Sequence, residues 1–156
     1  MSWILLFSAI LMALVAGVFL SFSDFVMRGL AAAPGTAGAA GMVGLNRTVY
    51  RSVFMVLLIG FVPASIALGA VALGQMQGAA QALTLTGALA YIIGVMAVTG
   101  RGNVPMNQRL DALADRPAEV SAYWPRYLRG WTRLNHLRVA ASATAALAWG
   151  IAAGLA

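Results

Sequence analysis

Three short runs of the chain hold the side chains best able to grip a small molecule. They are Asn46-Arg47, Asn103-Val104-Pro105-Met106-Asn107, and Trp131 through Asn135 to Arg138. Carboxamides both donate and accept hydrogen bonds, and a guanidinium is a permanent cation with five N–H donors. Asn46, Arg47, Asn103, Asn107, Asn135 and Arg138 together would suit a ligand rich in oxygen, above all one that becomes an anion during reaction. The plainer reading has equal standing, because asparagine caps helices and arginine near a membrane reaches for lipid phosphate.

Acid–base and redox groups are scarce. His136 is the only histidine and there is no cysteine. It could act as a general base, or bind haem as an axial ligand. One histidine cannot form a His/carboxylate metal cluster. It also projects about 100° from Asn135 around a helix, away from the same pocket. The chain therefore predicts no cofactor, with haem or quinone as the two carriers left open. Asp24 stands four residues before Arg28, a spacing for an ion pair, with a carboxylate base as the alternative. Asp111, Asp115 and Glu119 read as solvated charges beside arginines. No phosphate-binding loop, zinc-protease helix or nucleophile elbow is present.

The elements that must position these groups are apolar helices. Runs of about twenty apolar residues cross a hydrocarbon core about 30 Å thick. Residues 3–22, 53–73, 80–99 and 139–156 qualify. The first lacks the basic start of a cleaved signal and reads as a retained span. Small residues recur every fourth position at Ala9, Ala13, Gly17 and Ser21, and again at Ser142, Ala146, Gly150 and Gly154. Shorter ridges occur at Gly60/Ala64 and Thr86/Ala90/Gly94, and such ridges let helices approach closely in lipid. Pro63 should kink the second span and free a carbonyl. The Ala/Gly stretch 31–41 around Pro34-Gly35 reads as a loop.

The fold class expected is all-α, a polytopic membrane four-helix bundle forming a single domain over 1–156. Short interfacial helices should lie on its cytoplasmic side. One such helix should start at Asn103 with Pro105 in its first turn, and Asp115-Arg116-Pro117 should end it. Trp124, Tyr127 and Trp131 carry rings suited to headgroup level. Trp131, Asn135, Arg138, Ser142, Ala146 and Gly150 then share one face of the last helix, which points Asn135 and Arg138 into the bundle.

Composition agrees. Apolar residues make up 62% of the 156 and charged residues only 9%, against about 25% charged in soluble domains. The net charge of +6 comes from ten Lys+Arg against four Asp+Glu. All ten cations are arginines in the connections 24–51 and 101–138. That pattern argues against nucleic acid and for a basic face on anionic lipid. By the positive-inside rule both connections belong in the cytoplasm and both termini outside.

The runs Gly41–Arg47, Gly102–Asn107 and Trp131–Arg138 resemble those of the anthrone oxygenase-like family of small membrane proteins, with Gly-Asn-x-Pro-x-Asn the most specific. The resemblance implies O₂-dependent oxidation of an aromatic or quinol-like molecule, with Asn46, Arg47, Asn103, Pro105, Asn107, Trp131, Asn135 and Arg138 as motif positions. The partners expected are membrane lipid and a lipophilic aromatic small molecule. The competing class is a non-catalytic subunit of a larger membrane complex or a homo-oligomer.

Overall fold

The computed structural model describes residues 1–156 and contains five helices and no strand. Helix α1 runs Ser2–Ala32, α2 Ala37–Thr48, α3 Val53–Gln75, α4 Gly78–Ala112 and α5 Pro117–Leu155. Four of them are long and apolar enough to span a bilayer, so the chain is an integral, multi-pass membrane protein. The side chain of Ser2 donates to the carbonyl of Ala156 at 2.6 Å, so the two termini meet at one end of the bundle. The charged connections occupy the other end.

Three helices run well past the apolar spans. Helix α5 holds 39 residues, about 58 Å at 1.5 Å per residue and nearly twice the hydrocarbon thickness. The segment after Asn103 is a continuation of α4, and α5 starts at Pro117 and passes through Pro125 and Gly130 unbroken. Proline is cheap at the first helical position, where its N–H would have no partner. The only separate short helix is α2. It begins at Ala37, so most of the Ala/Gly stretch is helical and the turn shrinks to Ala33–Thr36. Gly35 has φ +58, and a Cβ on Gly38 would overlap the carbonyl of Leu30. Glycine is needed at both positions.

Burial divides into two cores. One lies among the spans, with Leu5, Met12, Val15, Phe19, Phe61, Tyr91 and Trp149 at its centre. The other lies at the charged end, where α2 packs against the extensions through Met27, Met42, Leu110, Tyr127 and Trp131. Tyr127 and Trp131 are therefore buried, at 0% and 5% exposure, in a stack with Trp124. The sequence suits these rings to contact with lipid headgroups. They go inside because α2 and the end of α4 cover them.

The sequence ridges meet neighbours only in part: a Cβ on Gly150 would stand 3.8 Å from Ala9, so the ridges of α1 and α5 touch there. Helix α1 buries Leu5, Ala9, Met12, Val15 and Phe19, while Gly17, Gly60 and Gly154 have open space where a Cβ would stand. The tightest approaches run along α4, at Gly94 of the expected ridge and at Gly87 and Gly102 outside it. A Cβ on Gly87 would overlap the indole of Trp149, and one on Gly94 would overlap Ala141. Gly102 would place its Cβ 2.7 Å from Leu134. Period alone marks small residues, but only packing shows which of them meet a neighbour.

Pro63 sits within the unbroken α3. The Tyr91 hydroxyl donates to the carbonyl of Leu58 nearby, giving a buried phenol its partner.

Candidate functional site

Between the two cores lies a cavity of about 570 Å³, walled by α1, α2, α3, α4 and α5. Its lining is mainly apolar, with Phe19, Phe22, Met42, Phe54 and Met96 among it. The size is typical of small-molecule sites. Two helices widen where they border it. In α1 the N–H of Met27 reaches back five residues to the carbonyl of Phe22. In α4 the N–H of Val104 does the same to Thr99. Such wide turns shift the register of the side chains beyond them and are frequent at functional sites.

Arg138 enters the cavity from α5 and is 5% exposed. One terminal nitrogen donates to Asn135 Oδ1 at 2.7 Å and the other to Thr99 Oγ1 at 3.5 Å. Its guanidinium carbon lies 4.4 Å from the Phe19 ring centre and 5.0 Å from that of Trp131. No carboxylate pairs with it. The three ion pairs are Arg28–Asp24, Arg47–Asp111 and Arg116–Glu119, all at exposed positions. A buried cation without a counter-charge is costly, several kcal/mol before compensation.

Asn135 holds Arg138 in place from behind. It is wholly buried and donates to the Phe19 carbonyl at 2.6 Å and to Ser23 Oγ at 2.7 Å. That leaves its oxygen for the guanidinium. Asn103 donates to the Trp131 carbonyl at 3.2 Å, tying α4 to α5. Asn107 accepts from the Tyr127 hydroxyl at 2.8 Å. Asn46 comes from α2.

Four buried polar atoms on this wall have no partner: Asn46 Nδ2, Asn103 Oδ1, Trp131 Nε1 and Arg138 Nε. Only one other such atom occurs in the chain, Ser65 Oγ. Leaving a buried polar group unpaired costs about 1–3 kcal/mol. Four such atoms on one wall are therefore a concentrated hydrogen-bonding capacity: three donors, one of them cationic, and one acceptor.

Of the residues expected from sequence, Asn46, Asn103, Asn107 and Arg138 line this cavity, and Asn135 lies directly behind Arg138. Arg47 does not join them. It projects outward and pairs with Asp111 at 2.8 Å. His136 is exposed and lines a separate groove. Asp24 is likewise remote, bound to Arg28 at 2.8 Å. No three His, Cys, Asp or Glu side chains converge.

Sequence reasoning did not reach Phe19, Ser23, Thr99 or Tyr127. Tyr127 was within reach, four residues before Trp131 on the same face of α5. The other three come from helices joined to α5 only by tertiary packing, and nothing in their local sequence marks them.

The fold and cavity define an integral membrane helical bundle with a buried, cation-bearing pocket at the charged end of its spans. Residues 47–148, nearly two thirds of the chain, match the family described as Anthrone oxygenase. The protein belongs to that family. The matched region contains Asn103, Asn107, Trp131, Asn135 and Arg138, while Asn46 falls just before it. No curated protein and no solved structure matches the chain.

Proposed function

We propose that the cavity binds a lipophilic anthrone or related phenol and promotes its oxidation by O₂ to the quinone. The observation that carries this reading is the set of four unpartnered polar atoms on residues that line one mainly apolar space. A flat aromatic body fills the apolar wall. Its ketone oxygen accepts from Arg138 and Trp131, and a ring hydroxyl donates to the Asn103 oxygen.

The chemistry follows from charge. An anthrone becomes reactive toward O₂ when its ring CH₂ loses a proton and the ketone becomes an enolate. The Arg138 guanidinium, fixed beside that oxygen in a dry site, stabilises the enolate more than the neutral ketone. No carboxylate or imidazole lines the cavity, so the proton passes to water at its mouth. The electron-rich carbon then adds O₂ to give a hydroperoxide, which takes up a proton and expels water. Both hydrogens leave the carbon. One oxygen atom becomes the new carbonyl and the other becomes water, so the CH₂ loses four electrons and O₂ gains them.

Substrate enters from the bilayer between α1 and α3, where Val18 and Ile59 border the cavity and stay 36% and 53% exposed. The ten arginines at the charged end support a placement of that end in the cytoplasm and of the termini outside. The test is an oxygen electrode with the purified protein and a panel of hydroxyanthrones. One O₂ consumed and one quinone formed per anthrone, above the uncatalysed rate, is expected. Uptake equal to the blank across the panel would discard the reading in favour of a non-catalytic membrane subunit.

A further inference from the structure

We infer that a second, separate site on this protein holds the headgroup of an anionic phospholipid, in the groove between the end of α1 and the first half of α5. The groove has a volume of about 440 Å³. Its polar lining is Ser23, Arg28, Arg129, Thr132, Arg133 and His136. On α5, Arg129, Thr132, Arg133 and His136 fall at i, i+3, i+4 and i+7, which is one face of a helix. That face lies roughly opposite the Trp131–Asn135–Arg138 line, so one helix serves two sites.

Charge and depth together choose the occupant. Arg28 is paired with Asp24 at 2.8 Å, while neither Arg129 nor Arg133 has a carboxylate within an ion-pair distance. No carboxylate lines the groove itself. Two uncompensated guanidinium groups, joined by the Ser23 and Thr132 hydroxyls, make a set of donors for a phosphate diester. The apolar spans end near Phe22 and begin again at Val139. At 1.5 Å per residue, Ser23, Arg133 and His136 stand within about 10 Å of the hydrocarbon edge, the level of lipid phosphate. Met27 and Leu128 complete the wall, and the lipid-exposed Leu20 lies one turn below Ser23 on α1. A diester carrying acyl chains therefore fits better than a free anion: its charge meets the arginines while its tails stay in the bilayer.

The experiment uses the full-length protein in neutral detergent, titrated with dioctanoyl phosphatidylglycerol, dioctanoyl phosphatidylcholine or inorganic phosphate. Native mass spectrometry counts retained lipid and thermal unfolding reads protection. One phosphatidylglycerol retained per chain, with a saturating rise in melting temperature, is expected. Phosphatidylcholine and equimolar phosphate should produce neither. The Arg129→Gln/Arg133→Gln pair should weaken apparent affinity about thirtyfold, at about one order of magnitude or less per surface arginine. Arg51→Gln/Arg101→Gln, which removes the same charge away from the groove, should change it by no more than about threefold. Equal loss in both pairs, uptake of several lipids without a plateau, equal retention of phosphatidylcholine, or competition by equimolar phosphate would each overturn the assignment. If the first pair does not fold, Thr132→Trp fills the groove and keeps its charge. Unchanged lipid retention in that variant would overturn the assignment as well.

Discussion

Replacing Arg138 by methionine separates a binding role from a structural one. Burying the guanidinium costs several kcal/mol, say about 5. Against that stand two aromatic rings at 4.4 and 5.0 Å, each worth about 2 kcal/mol when desolvated. The hydrogen bond to Asn135 adds about 2 kcal/mol as a charge-assisted contact. The terms nearly cancel. Methionine fills a similar volume with no charge to desolvate, although it leaves Asn135 Oδ1 without a donor. Folding stability should therefore change by no more than about 1–2 kcal/mol. Catalysis should suffer far more, because removing one donor to a developing oxyanion typically costs a factor of about 10² to 10³. Arg138→Lys keeps the charge but loses the planar stack and should recover only part of the rate. The assay pairs oxygen uptake on an anthrone with thermal unfolding in detergent. An Arg138→Met protein that melts far below wild type, yet oxidises the anthrone normally while folded, would refute the reasoning.

Three further outcomes follow from the geometry. Gly87→Ala should destabilise the bundle by about 1–3 kcal/mol, since the new methyl overlaps Trp149, whereas Gly60→Ala meets nothing and should melt like wild type. Comparison of the two melting temperatures checks this. Arg47→Ala breaks only a surface pair with side chains 64% and 45% exposed, so it should cost less than about 1 kcal/mol and leave oxygen uptake unchanged; a large loss of activity would put Arg47 back in the site. For topology, a reporter active only outside the cytoplasm should work when fused at Ala156, and cysteines placed in 110–120 should react only from the cytoplasmic side.

Sequence by itself determined the solvent and the frame. Four uncharged apolar runs leave lipid as the medium, and lipid forces each run to satisfy its own backbone as a helix. The clustering of every arginine in two connections settled which ends of the helices lie together. The shared face of Trp131, Asn135 and Arg138 was legible because helical period is a local property, and burial bears it out at 5%, 0% and 5% exposure. What period cannot give is the partner across the gap. Arg47 sits beside Asn46 in sequence yet turns outward to Asp111, because adjacent residues point about 100° apart. Gly17 and Gly60 belong to small-residue ridges but meet nothing, while Gly94 of another ridge and Gly87 and Gly102 outside them carry the close contacts with α5. Only the tertiary structure could decide that Phe19 flanks the guanidinium and that Ser23 and the Phe19 carbonyl hold Asn135. These contacts join residues more than a hundred positions apart. They arise from how the helices cross, which depends on the shapes of all the side chains at the crossing at once.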